Sequence, residues 1–286
     1  MTGPIQEIQL SAGPGDWRLT RADPDADLAG LVQEFWEVQG ALAPFRETLL
    51  PNGAVELMFD LGPPHRVLSA QGEGWWRDAW FSGLHERAIV IESLEGTHLV
   101  SARMHPVGAL ALLGPRVSAL ANRIVPLDEV CDDAEGLRAA IAAAPTPGQR
   151  FAVLERALRE SMRQFIPAPR AVRDAATRIE QSHGNVRIAS LHEALGVSRK
   201  HLAVLFRKHV GLTLKDYAKL RRFVFALSWL RGHEAIDWPA LAAEAGYSDQ
   251  SHLARDFRRV GAASPTEYLR RRTPEADALI YAAGER

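Results

Sequence analysis

Gly246-Tyr247-Ser248-Asp249-Gln250-Ser251-His252-Leu253-Ala254-Arg255-Asp256-Phe257-Arg258-Arg259 decides the fold, because the chain carries a second version of it. His201-Leu202-Ala203-Val204-Leu205-Phe206-Arg207-Lys208 repeats its second half at an offset of 51, and Gly196-Val197-Ser198 matches its start. Such self-similarity marks one supersecondary unit used twice. Each copy has the layout of a helix-turn-helix: a glycine for a left-handed turn, then a hydroxyl residue to cap the next helix. In the first copy Ser190 is the expected cap of a short helix carrying Leu191, Ala194 and Leu195, and Ser198 the cap of its partner. In the second, Asp237 caps a helix with Pro239 in its first turn, and Ser248 is expected to cap the helix that follows.

Helical spacing turns Leu202, Leu205, Phe206, Leu253 and Phe257 inward. It leaves Arg199, Lys200, Ala203, Val204 and Arg207 facing out in one copy, and Gln250, Ser251, Arg255, Arg258 and Arg259 in the other. Between the copies, residues 214–231 carry Leu220, Phe223, Leu227 and Leu230 as an apolar stripe ended by Gly232. One continuous helix there would hold the two exposed helices at a fixed distance, suited to successive major-groove segments about 34 Å apart.

Charge agrees with this division. Over 286 residues the 34 basic and 35 acidic side chains nearly cancel, for a net −1. Residues 1–166 hold 14 Arg and no Lys against 22 acids, a net of −8. Residues 167–273 hold 15 Arg and all four Lys against 10 acids, a net of +9, and residues 274–286 contribute −2. A basic segment beside outward-facing helices is the electrostatic footprint of nucleic-acid binding. We read Arg199, Arg207, Lys208, Arg258 and Arg259 as phosphate contacts.

The acidic half reads as strands and then helices. Val55, Leu57, Phe59 and Leu61 alternate with Glu56, Met58 and Asp60 after the turn Pro51-Asn52-Gly53, the period of a strand with one buried face. Ile89-Val90-Ile91 and Val100, Ala102, Met104 read as further strands, and residues 110–113, 117–124 and 137–143 as helical. A helix over 147–165, capped by Thr146 with Gln149 in the capping-box position, ends at Ile166-Pro167-Ala168-Pro169, the expected linker. The fold class is therefore α+β: a β-rich front domain (1–166) followed by helices, then an all-α double helix-turn-helix domain (167–273) and a tail (274–286).

In the front domain Trp75, Trp76, Trp80 and Phe81 place four aromatics within seven positions. They could line an apolar pocket, with Glu56, Arg103 or His105 as a polar anchor, or fill the β core or a protein interface. His98 and His105 stand seven apart with no His-x-His pair, and Cys131 is the single cysteine among acidic neighbours, so neither a metal site nor a disulfide is expected. No nucleophile elbow, phosphate loop or H-E-x-x-H motif occurs, and no enzyme activity or cofactor is expected. No apolar run reaches the ~18 residues of a membrane span, and the start of the chain lacks signal-peptide features, so a cytoplasmic protein is expected. The dominance of arginine over lysine points to a GC-rich bacterial source.

The segment 188–272 resembles the DNA-binding module of the AraC/XylS transcriptional regulators. The resemblance rests on Ser-x-x-x-Leu-x-x-x-Phe-Arg at residues 198–207, on the opening string through Arg258, and on Gly-x-x-x-Pro-x-x-Tyr at 261–268. Leu50-Pro51-Asn52-Gly53-Ala54-Val55-Glu56-Leu57, with residues 105–110 and 127–128, resembles an uncharacterised sensor-type domain often fused to that module. The resemblance implies that Lys200, Ala203 and Val204 in the first copy, and Gln250, Ser251 and Arg255 in the second, read bases. Ala203 and Val204 depart from that pattern, since neither can hydrogen-bond a base edge; a thymine methyl contact or a purely electrostatic clamp remains for the first copy. The implied function is a ligand-controlled transcription regulator; the alternative is a ligand-independent regulator whose front domain only dimerises or contacts a protein. The expected partners are a double-stranded DNA operator, a small-molecule effector, RNA polymerase for an activator, and a second copy of the chain.

Overall fold

The computed structural model describes residues 3–12, 15–42, 45–69, 72–93, 96–109, 113–162, 167–233, 235–272 and 278–282. The front half is built on two antiparallel sheets. The larger has seven strands: β1 (Gln6–Ala12), β2 (Gly15–Ala22), β3 (Val32–Leu42), β10 (Thr97–Met104), β5 (Val55–Asp60), β8 (Ala79–Ser82) and β11 (Ile124–Pro126), in that spatial order. The smaller orders β12 (Ala278–Ala282), β4 (Phe45–Leu49), β9 (Ile89–Ser93), β6 (His65–Ser69) and β7 (Gly72–Trp76).

Two-residue periodicity gives the larger sheet two enclosed faces. Val55, Leu57 and Phe59 join Phe35, Val100 and Ala102 in the main hydrophobic core. The intervening Met58 packs with Trp80 and Leu99 on the side of the smaller sheet. The alternation at residues 55–61 thus marks one buried face as expected, and the second face is closed by the other sheet, which buries Asp60 as well. The segment expected to be helical over 117–124 is instead a 3-10 helix (Gly114–Leu120) running into β11.

Two helices cover the larger sheet, α1 (Ala134–Ala143) and α2 (Pro147–Met162). Gln149 donates its backbone N–H to the Thr146 hydroxyl at 3.4 Å, the expected cap. Phe151, Leu154 and Leu158 are buried in the core, and the Phe151 ring stacks on Phe35 at 6.0 Å. Arg150 clamps Glu37 of β3 with two hydrogen bonds of 2.7 and 2.6 Å. Phe165 and Ile166 lie outside the described residues, as do residues 110–112.

Among the described residues seven helices follow: α3 (Arg170–Gln181), α4 (Ile188–Ala194), α5 (Arg199–Val210), α6 (Leu214–Gly232), α7 (Trp238–Glu244), α8 (Gln250–Gly261) and α9 (Pro265–Arg271). The chain enters α3 through Ala168, which is buried in the same core as Val172, Ala175 and Ile179. That core runs on without a break from the front sheet into the first helix-turn-helix, where Leu202, Phe206 and Val210 meet Val117 and Leu120 of the 3-10 helix. A second core holds Leu241, Tyr247, Leu253, Phe257 and Val260 against Phe223, Leu227 and Leu230 of α6. The stripe on α6 is therefore shared: its first half packs the first unit and its second half the second. After α9 the chain returns to the front half, where β12 pairs antiparallel with β4 in the register Ala278↔Leu49 to Ala282↔Phe45.

Candidate functional site: two exposed helices and a barrel cavity

The two turns are set by Gly196 and Gly246, which adopt φ of +65° and +71°. At Gly246 a side chain would also meet Asn185 at 2.7 Å. The first exposed helix, α5, begins at Ser198, whose hydroxyl accepts the His201 N–H at 3.2 Å. The second, α8, begins one residue later than expected: Asp249 is the cap and accepts the His252 N–H at 2.7 Å. Ser248 instead donates its hydroxyl to the Asp249 carboxylate at 3.0 Å. That backbone donor and the Ser248 hydroxyl hold the Asp249 carboxyl below the usual carboxylate range. A carboxylate already sits where the helix end would attract a phosphate. Ser190 is likewise not a cap; α4 starts three residues earlier than expected, at Ile188 with Arg187 in the cap position, and the Ser190 hydroxyl donates back to the Arg187 carbonyl at 3.1 Å.

Lys200, Ala203 and Val204 are exposed on α5, with Val204 at 59% an unusually open aliphatic side chain. Gln250, Ser251 and Arg255 are exposed on α8. Arg255 rests its Nε–H on the Ser251 carbonyl one turn back, 3.3 Å away, and is held over its own helix. Arg199, Arg207, Lys208, Arg258 and Arg259 are exposed too, and Arg259 pairs with Asp256 at 3.2 Å. At 1.5 Å rise per residue the 19 residues of α6 extend roughly 28 Å between the units.

A cavity of about 210 Å³ lies between the two sheets. Of the front-half residues singled out in the sequence, it brings together Trp76, Trp80, Glu56 and Arg103. The remaining three are elsewhere. Phe81 points to the opposite face of β8 and is fully buried in the main core; Trp75 is half exposed on β7. His105 lies against Gln33 (3.4 Å) near Glu180 of α3, and burial lowers its pKa. The cavity adds residues that sequence reasoning passed over: Trp17 and Arg21 of β2, Trp36 of β3, Phe45 and Glu47 of β4, and His65 of β6.

Charges in the cavity wall are mostly matched. Arg103 donates to Glu56 at 2.9 Å and to Glu34 at 2.5 Å, and Asn52 donates to Glu56 at 2.8 Å. His65 and His85 are pushed down to about 4 by burial and are neutral at physiological pH. Asp60, outside the cavity wall but 3.7 Å from His65, is raised by burial to about 7.

One end of the cavity abuts the helix-turn-helix half. Leu50, beside the cavity, packs in the second helix-turn-helix core with Phe223 and Leu227. The Ala88 N–H donates to the Val260 carbonyl of α8 at 2.7 Å. Gly53 approaches Arg221 of α6 so closely that a side chain there would come within 2.8 Å of its guanidinium.

Comparison with known proteins follows this division. Residues 191–271 match the family described as a helix-turn-helix domain, and residues 20–126 match a domain of unknown function, DUF6597. Among solved structures the chain is similar to ToxT from Vibrio cholerae, at 11% identity and a TM-score of 0.50 over 82% of this chain and 97% of that one. ToxT from strain O395 bound to (E)-4-(8-methylnaphthalen-1-yl)but-3-enoic acid gives 0.51 at 11% identity, over 82% and 98% of the two chains. The AraC-like transcriptional activator CuxR aligns at 14% identity over 78% and 86%, with a TM-score of 0.34. At such identities the likeness to ToxT is one of fold. No curated protein matches the chain.

Proposed function

Residues 191–271 match a helix-turn-helix domain and resemble the AraC/XylS module, and from that premise we propose that the chain is a sequence-specific transcription regulator whose front domain senses a small molecule. The observation that carries this reading is continuity: the cavity in the front sheets shares packing and a backbone hydrogen bond with the core that positions α8. A ligand that fits only one arrangement of the wall around Leu50 would bias α8 between two poses, and its differential affinity sets how far the equilibrium moves. ToxT, whose fold is similar, is named with a bound naphthalenyl butenoic acid, which supports a small-molecule role for the sheets.

In this reading α5 and α8 enter adjacent major-groove segments. Gln250, Ser251 and Arg255 read bases, and Lys200 does so on the first unit beside the apolar Ala203 and Val204. The exposed Val204 suits a thymine methyl. Arg199, Arg207, Lys208 and Arg258 bind phosphates; Arg259 does so only by leaving Asp256.

Selection of bound sequences from a random DNA pool tests the reading, and recovery of no preferred site would overturn it. With that site in hand, Arg255→Ala is expected to cost about 1–3 kcal/mol of binding and to relax preference at one position. An equal loss on random DNA would assign Arg255 to the backbone. Lys208→Ala should instead lower the slope of log affinity against log salt by about one and leave the preferred sequence unchanged, measured by titration from low to high salt.

A second reading, in which the front domain acts as a protein contact, is favoured by Trp75, half exposed on the edge strand β7. Light scattering of the full chain, with and without Trp75→Ser, separates the two.

A further inference from the structure

We propose that the cavity between the two sheets is built for a small aromatic ammonium compound, with Glu47 as its counter-ion. The inference rests on reading the front domain as an effector domain and names the chemistry of that effector.

Glu47 lies between Phe45 and Leu49 on β4, and all three line the cavity. Among the described residues it has no hydrogen bond or ion pair, unlike Glu56, which Arg103, Asn52 and Ser101 satisfy. Groups that could answer it from the surrounding elements are committed or neutral, except Arg87, which also lines the cavity but turns to solvent. Arg21 of β2 lies 3.6 Å from Glu34, Arg103 of β10 is paired with Glu34 and Glu56, and His65 of β6 and His85 are uncharged. An ionised carboxylate left alone in an apolar wall is costly, and the chain meets that cost by protonation: burial raises Glu47 to about 7.

The rings of Trp17, Trp36, Phe45, Trp76 and Trp80 line the same cavity as this carboxylate. Aromatic faces attract cations, and an aromatic enclosure with one carboxylate is the recognition chemistry of organic ammonium ions. The volume of 210 Å³ exceeds the roughly 150 Å³ that holds a benzene, leaving room for one ring and a short arm. The indole N–H groups of Trp36 and Trp76 are buried without an acceptor and favour an oxygen on that ring.

Three probes that share a phenol ring and differ in the charge of the arm test this on the full chain: 4-(2-aminoethyl)phenol, 4-(2-hydroxyethyl)phenol and 4-hydroxyphenylacetate. Calorimetry and tryptophan fluorescence at pH 8 are expected to show the amine binding at least tenfold tighter than the alcohol, and the acid not binding. Because binding uses the ionised carboxylate, the amine's affinity should fall about tenfold from pH 8 to pH 6. At pH 7 about half a proton should leave per amine bound, read from calorimetry in two buffers. In Glu47→Gln the amine and the alcohol should bind within threefold of each other; the proton release serves as the variant-free check if that protein folds poorly.

Equal binding of the alcohol or the acid, amine preference persisting in Glu47→Gln, no proton release, or no binding of any probe would overturn the assignment. Operator affinity measured alongside separates this from the sensing reading. A shift in operator affinity caused by the alcohol or the acid would keep a sensor and remove the cation. Amine binding that leaves operator affinity unchanged would keep the cation site and remove the sensor.

Discussion

Replacing Phe257 with Ala is expected to lower stability by about 3–5 kcal/mol and to abolish operator binding with it. The side chain is 1% exposed, lies edge-on to Phe223 of α6 at 4.9 Å, and has Tyr268 of α9 at 6.3 Å. Deleting a buried ring removes its transfer free energy and leaves a cavity that a core braced by three helices cannot close. The loss falls on the second unit, since Phe257 belongs to the core that holds Leu241, Leu253 and Val260. Chemical denaturation followed by circular dichroism should show the reduced midpoint, and a loss below 1 kcal/mol would mean the second unit contributes little to the cooperative fold. Phe257→Leu, which keeps most of the volume, should recover the greater part of both stability and binding.

Arg150→Leu is expected to cost a similar 3–5 kcal/mol, for a different reason. Arg150 and Glu37 are 8% and 3% exposed, and the guanidinium meets the carboxylate through both oxygens. Removing one partner of such a pair strands the other charge in the interior. His98 also contacts Glu37 at 2.9 Å, so the carboxylate is not wholly abandoned, and acid should rescue part of the loss by protonating it. In the native protein burial tends to raise the Glu37 pKa, yet the bonds from His98 and Arg150 hold it below the usual carboxylate range. A carboxylate lowered on folding adds stability above its unfolded pKa of about 4.3, and that stability is lost as the pH falls through the folded value. Acid titration of the native protein and of Arg150→Leu should therefore converge at low pH; parallel curves would contradict the pairing.

Much of the DNA-facing half was legible because its signals are local. Caps, left-handed glycines and inward leucines at helical spacing are decided within a dozen residues, and Ser198, Asp237, Gly196 and Gly246 take their expected places. Ser248 was the expected cap because it is the first hydroxyl after the turn, but Asp249 is nearer in register to the free N–H of His252. The cavity was only half legible. Trp17 and Trp36 come from β2 and β3 of the larger sheet and Phe45 and Glu47 from β4 of the smaller, which meet at the cavity, an apposition that no run of residues displays. A dense aromatic run misled for the opposite reason. Successive strand residues point to opposite faces, so Trp80 enters the cavity while Phe81 enters the main core. Glu56, on the alternating strand 55–61, is the cavity acid that the sequence brings forward, whereas Glu47 is recognised only once β4 is placed against the larger sheet.

The return of β12 to the front sheet makes the DNA-facing half a loop anchored at both ends. One anchor is the buried Ala168 ahead of α3, the other the ladder between β12 and β4. A segment pinned at both ends, with the front core running on into its first unit and Leu50 packed in its second, cannot swing as a pendant arm. Ile280 pairs across from Glu47, so the second anchor sits on the very strand that carries the acid of the cavity left unpaired among the described residues. A shift of β4 at Glu47 thus bears directly on the ladder that forms the second anchor.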